Sequence, residues 1–169
     1  ILIGCMIGCA FAGPLSDKYG RKKVFIFTAI VFLISSLGCA FAETHIAFIV
    51  YRIIAGTAVG AASMLSPMYI AEVSPARHRG KLEILNILAI FIGQSAEFFS
   101  NFWLKGYGGV DNWRWMMGVM IIPSAILLLM LFFIPESPRW LVKILKNKQA
   151  YDILEKISGP ESVKKDLAA

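Results

Sequence analysis

The sequence has 169 residues, 57% of them hydrophobic and 17% charged, with a formal net charge of +6. Soluble domains run nearer about 45–50% apolar and about 25% charged. That balance excludes an ordinary soluble globular domain and points to a membrane protein with its charge confined to loops.

The first apolar segment covers residues 1–15 and opens in mid-run, "ILIGCMIGCAFAG". It has no initiator Met, basic n-region or small-residue cleavage site, so it does not read as a signal peptide. It reads as the inner part of a helix, and the expectation is a section of a longer polypeptide. The three cysteines, Cys5, Cys9 and Cys39, sit in apolar runs. They match no metal-ligand spacing and no disulfide framework, and read as small packing residues.

A short basic loop, "GPLSDKYGRKK" (13–23), leads to the second segment, 24–42. Within the loop Gly13 admits a close helix neighbour and Gly20 permits a positive φ. Asp17 is placed to pair with a cation or a helix N-terminus. The third segment, about 46–71, contains Arg52. A charge at the centre of a membrane helix costs about 2.5–3.5 kcal/mol on insertion scales. Arg52, Gly56 and Gly60 repeat every fourth residue and share a face, the small-residue pattern of close helix packing. Arg52 therefore either points into a bundle or snorkels to the outer surface, about 10 Å away at 1.5 Å per residue. Pro67 lies in the same run and predicts a kink or a break.

The fourth segment, about 82–104, carries Asn86, Gln94, Glu97 and Asn101 within about 80° of one another at 3.6 residues per turn. Such a polar stripe in a membrane helix must face protein or water. It suits either interhelical hydrogen bonding or the hydroxyls of a sugar, since amides both donate and accept. Gln94 follows Gly93, which opens space beside it and favours a cavity role. A fifth apolar segment spans about 113–134, and "PESPRWL" (135–141) follows it. Ser137-Pro138 predicts a helix start, with Trp140, Leu141, Ile144 and Leu145 as its apolar stripe. A second turn of helix is expected over Ala150–Ile157, ending at Gly159-Pro160.

Lys and Arg mark the cytoplasmic side of membrane proteins. Lys18, Arg21, Lys22 and Lys23 lie in the first loop, Arg77, Arg79 and Lys81 in the third, and Arg139, Lys143, Lys146, Lys148, Lys156, Lys164 and Lys165 in the tail. Loops 16–23 and 73–81 and the tail are thus expected to be cytoplasmic, with only Lys105 and Arg114 outside. Trp103, Tyr107, Trp113 and Trp115 bracket the outer loop like an interfacial aromatic belt. The positive charge is this bias and needs no nucleic acid. Glu72, Glu83, Glu136 and the arginines near them suggest a salt-bridge layer at the cytoplasmic face. No nucleophile–base pair, metal spacing or phosphate-cradling loop appears, which argues against an enzyme.

Four motifs carry a resemblance: G-x-x-x-D-K-x-G-R-K at 13–22, R-x-x-x-G-x-x-x-G at 52–60, P-x-Y-x-x-E…P-x-x-x-R-G at 67–80, and P-E-S-P-R-W-L at 135–141. Together they resemble the sugar porter family of the major facilitator superfamily. The resemblance implies an all-α membrane protein, helices two to six of twelve, working by alternating access about a midplane site. Residues 1–134 would be a partial N-terminal six-helix bundle lacking its first helix, and 135–169 the start of the central cytoplasmic linker. It implies transport of a xylose-like pentose or hexose with a proton across a bacterial inner membrane. The partners would be the bilayer and the remaining helices, with no cofactor. Asp17, Arg21, Glu72, Arg79, Glu136 and Arg139 match the family's gating salt-bridge positions. Gln94 matches a sugar-contacting glutamine, and Arg52 the arginine that pairs with a first-helix aspartate in proton-coupled members. One position departs: Ile87 stands where the family usually has a second sugar-binding glutamine. With Glu97 and Asn101 nearby, this leaves open a polyol or other small solute, or facilitative transport.

Overall fold

The structure is a computed structural model that describes residues 1–74, 78–106, 109, 112–146, 148, 149, 151 and 153. Arg77, Tyr107 and most of the expected helical turn at Ala150–Ile157 lie outside the described residues. All regular elements among the described residues are helical: α1 Leu2–Tyr19, α2 Arg21–Ala40, α3 His45–Val73, α4 Arg79–Leu104, α5 Asn112–Gly118, α6 Ile121–Phe133 and α7 Pro138–Lys143. Among the described residues four stretches are long and apolar enough to cross a membrane: α2, α3, α4, and α5 with α6 taken together. Large apolar side chains such as Phe98, Phe99, Phe102 and Phe133 are exposed, a surface suited to lipid or to further helices.

The tightest contact joins α1 to α3. Gly4 and Gly8 face Ile53 and Thr57, while Gly56 and Gly60 face Ile1 and Cys5. A Cβ added at Gly8 would lie 2.1 Å from the Thr57 carbonyl oxygen, and one at Gly60 would lie 2.2 Å from that of Cys5. Backbone therefore rests on backbone, the small-xxx-small geometry expected for Gly56 and Gly60. The same register recurs on α1, where Gly4, Gly8, Ala12 and Ser16 are its buried residues. Cys9 Sγ donates to the Gly60 carbonyl at 3.1 Å across this contact. Ala12 packs with Val24 and Leu65 in a small core at the charged end.

Pro67 lies inside α3 without ending it. It removes one ladder hydrogen bond, which α3 tolerates within an otherwise continuous helix. The fifth segment does divide, between α5 and α6. Pro123 explains the break, since its ring opposes the carbonyl one turn back, at Val119, and the poor helix former Gly118 adjoins it. Weaker turns bridge the gap, with Met120 N donating to Met117 O at 3.3 Å and Ile122 N to Val119 O at 3.2 Å.

α4 has no buried residue. Its closest polar link to α3 is Ser66 Oγ donating to Asn86 Oδ1 at 3.0 Å. At the tail, Ser137 caps α7 and Pro138 opens it, as expected. The apolar stripe is shorter than expected. Trp140 and Leu141 are buried with Ile144 against them, but Leu145 is 86% exposed and has φ +60. A leucine in the left-handed region ends the helical path, so its side chain leaves the stripe.

Candidate functional site: a charged clasp, a membrane arginine and a polar helix face

The charged end is organised around Arg21. It is the first residue of α2, and Gly20 before it turns the chain at φ +98. A side chain at Gly20 would also meet Glu136 Oε2 at 2.8 Å. Glycine is thus required both for the backbone and for the approach of Glu136. The turn delivers the Arg21 guanidinium, largely buried, to three acceptors. Nη1 meets Asp17 Oδ1 at 2.8 Å and the Ser16 carbonyl at 3.0 Å. Nε and Nη2 meet the Glu72 carboxylate at 3.0 and 2.9 Å. This forked pairing is the strong form of the arginine–carboxylate contact.

The clasp extends to the segment after α6. Ser137, fully buried, donates its hydroxyl to Glu72 Oε2. Glu136 Oε1 accepts from the backbone N–H of Lys22 at 2.9 Å and of Ser137 at 3.1 Å. A carboxylate at the N-terminus of α2 satisfies an orphan amide and complements the helix dipole. Trp140 Nε1 donates to the Asp17 carbonyl at 2.9 Å. Lys22 Nζ donates to Phe132 O at 2.9 Å, and Tyr69 Oη to Pro135 O at 2.8 Å. Lys143 Nζ approaches Asp17 Oδ2 at 3.4 Å. Asp17 lies past the apolar run, and its hydrogen bond to Arg21 holds its carboxyl below the ordinary carboxylate range despite some desolvation.

The six charges named from the sequence thus fall into different places. Asp17, Arg21 and Glu72 form one ion-paired unit. Glu136 joins it through backbone amides. Arg79, whose Nε is buried with no hydrogen-bond partner, and Arg139, which is exposed, make no ion pair among the described residues. The sequence reading missed Ser137 as a Glu72 partner, Trp140 as an Asp17 partner, and Lys22 and Tyr69 as ties to the segment after α6. Capping chemistry pointed to Ser137, but its second hydrogen bond comes from the fold.

At the opposite end, Arg52 is half-buried on α3, one turn before Gly56. Its guanidinium lies over the Phe48 ring, 5.4 Å from the centroid. Phe48 meets Trp113 of α5 edge to face, with centroids 5.6 Å apart at 87°. Arg114 in turn lies over Trp113 at 5.2 Å and donates to the Ala42 carbonyl at 3.3 Å. Among the described residues no carboxylate lies within ion-pair distance of Arg52.

The stripe on α4 divides. Asn86 turns to Ser66 of α3 and lines a cavity of about 370 Å³ with Thr28, Ser63 and Ser66. Glu97 and Asn101 line another, of about 610 Å³, with Ser100, Gly93 and Ser124, between α4 and the α2, α5 and α6 walls. Gln94 and Ile87 line neither and stand exposed on a neighbouring face of α4.

A family model described as "Sugar (and other) transporter" matches residues 1–169. The D-xylose-proton symporter of Escherichia coli (strain K12) is 41% identical over 181 aligned residues, covering 94% of this chain and 37% of that protein. The putative metabolite transport protein YwtG of Bacillus subtilis (strain 168) is 36% identical over 167 residues, covering 99% of this chain and 36% of that protein. A partially occluded inward-open structure of the xylose transporter XylE from E. coli matches with a TM-score of 0.93 and 38% identity, covering 99% of this chain and 45% of that one. The chain therefore spans little more than a third of the length of these two curated relatives. It belongs to the sugar (and other) transporter family and is a membrane-embedded section of the major facilitator fold.

Proposed function

We propose that this section serves a proton-coupled sugar transporter that moves a pentose or hexose by alternating access. The observation that carries the reading is Arg52. It is a permanent cation roughly 10 Å deep in an apolar helix, at four-residue spacing from Gly56 and Gly60, which pack against α1. A buried membrane cation is retained for a function or a counter-charge. The symporter names among the relatives support proton coupling. In this reading an acid on a helix outside residues 1–169 neutralises Arg52, and its protonation frees the pair.

Gln94 is the sugar contact, supplying both a donor and an acceptor. Glu97 and Asn101, in their own cavity, contribute to the substrate path from the neighbouring face. The clasp of Arg21, Asp17, Glu72 and Glu136, with Arg79 and Arg139 beside it, acts as the cytoplasmic gate. Pairs of this kind must hold one state and still release it. Residues 1–134 then belong to the N-terminal half, and 135–169 begin the linker. The basic loops face the cytoplasm of a bacterial cell.

The test is Arg52→Met in a transporter polypeptide carrying this section. Gradient-driven uptake should be lost, and unchanged accumulation would remove the coupling role. A second reading, transport of a polyol or another small solute, is favoured by Ile87. An isoleucine cannot replace an amide hydrogen bond worth about 0.5–1.5 kcal/mol. Competition of labelled xylose uptake by a panel of sugars and polyols separates the two.

A further inference from the structure

We infer that Phe48 is a positioning residue for Arg52: its ring is the resting place of the guanidinium whenever the acid partner of Arg52 is protonated. The inference rests on the coupling role proposed for Arg52. A helical side chain leans back toward the N-terminus, so Arg52 reaches the residue one turn earlier. That residue is Phe48, and the guanidinium sits 5.4 Å from its ring centroid, within the about 6 Å range of a cation–π contact. Arg52 heads toward the outer surface but stops on an aromatic face.

The ring is itself held. Trp113 meets it edge to face at 5.6 Å, a favoured aromatic geometry. Trp113 also carries Arg114 at 5.2 Å. The position of Arg52 is thereby tied to α5, a different element from its own. Among the described residues, the charged and titratable neighbours of Arg52 are these. On α2, Cys39 lies within electrostatic reach. On α5, Arg114 stands behind the Trp113 ring. On α1, the first turn has no charged side chain. A guanidinium released from its acid would otherwise swing freely or reach for water. The aromatic face offers a second, half-buried site for the cation that needs no anion. Two defined positions for one cation are what a coupling step uses.

The experiment compares Phe48→Leu, Phe48→Tyr and Arg52→Met in the whole transporter, reading gradient-driven accumulation against equilibrium exchange of labelled xylose. Phe48→Leu should lower accumulation by about two- to fivefold, the scale of one cation–π contact, with exchange nearly unchanged. Phe48→Tyr should restore accumulation. Wild-type accumulation in Phe48→Leu overturns the inference. So does an equal fall in accumulation and exchange that Phe48→Tyr fails to rescue, since that is the mark of a packing role. Loss in Arg52→Met with a normal Phe48→Leu overturns only this inference. A normal Arg52→Met overturns the coupling role on which it rests.

Discussion

Arg21 and Glu72, 51 positions apart in sequence, meet through two parallel contacts, Nε to Oε2 at 3.0 Å and Nη2 to Oε1 at 2.9 Å. The pair joins the start of α2 to the last turn of α3. Arg21 is 5% exposed, so Arg21→Ala strands the Glu72 carboxylate, and Glu72→Ala leaves the buried guanidinium with Asp17 and the Ser16 carbonyl alone. Loss of one member of such a pair costs about 3–5 kcal/mol. Glu72→Ala and Arg21→Ala should each lower the melting temperature of the detergent-solubilised transporter sharply. Arg21→Lys should also destabilise, because an ammonium cannot reproduce the fork. A melting temperature unmoved by Arg21→Lys would count against the forked pairing.

Backbone contact between α1 and α3 allows no side chain. Gly8→Leu and Gly60→Leu should abolish recovery of monodisperse protein, read by fluorescence size-exclusion chromatography. Gly93→Ala is the control, since nothing lies within 4 Å of its added Cβ. It should behave as wild type or gain a few tenths of a kcal/mol from helix propensity.

Asp17 sets a pH dependence. Its carboxyl is held below the ordinary value by the hydrogen bond from Arg21. A group with a lowered folded pKa binds fewer protons folded than unfolded. Its contribution is therefore complete above the ordinary carboxylate pKa of about 3.9 and is lost as pH falls through that value to the lower folded one. The side chain is 46% exposed, so solvent screening limits the effect to about 1 kcal/mol or less. Melting curves of wild type and Asp17→Asn should differ at neutral pH and converge in acid. A constant gap across pH would contradict the pairing.

Ser137 fills two positions at once, as the cap of α7 and as a donor to Glu72. Ser137→Ala removes both and should cost about 1–3 kcal/mol by leaving a charged acceptor short of a donor. Exposed Arg139→Ala, two residues on, should change stability by less than about 0.5 kcal/mol. Equal effects in the two variants would deny Ser137 its place in the clasp.

Gln94→Ala should weaken sugar binding about tenfold, or about 1.4 kcal/mol, in equilibrium binding to the whole transporter. Ile87→Gln should strengthen it if the usual second amide is what the site lacks. Unaltered affinity in both would move the sugar contact off this face of α4.

Helices and their spacing were legible because a membrane permits so few backbone solutions. The glycine repeat at Gly56 and Gly60 announced a close contact, and Gly20 its turn. Partners were harder. Composition places Arg21, Asp17, Glu72 and Glu136 at one end, but pairing depends on helix rotation. Arg21 reaches Glu72 while Arg79 makes no ion pair among the described residues. The α4 stripe failed as a unit for a similar reason. Residues spread over about 80° of a helix can meet different neighbours, and α4 puts Asn86 against α3 while Glu97 lines the wall toward α6. The break near Val119 was written in Gly118 and Pro123, but the uniform hydrophobicity around them hid it. Phe48 gave no sign at all, since a phenylalanine in an apolar run looks like lipid contact until its neighbours are in place.

Gly4, Gly8, Gly56 and Gly60 leave much of the α1–α3 contact as backbone against backbone. A contact made so largely of backbone has less room to absorb motion by repacking than an ordinary helix interface. Tilting one helix alone would have to part backbone from backbone, so the two resist bending as one beam. Such a beam carries Asp17 at one end and Arg52 at the other. The charged clasp and the membrane arginine thus belong to one packed unit.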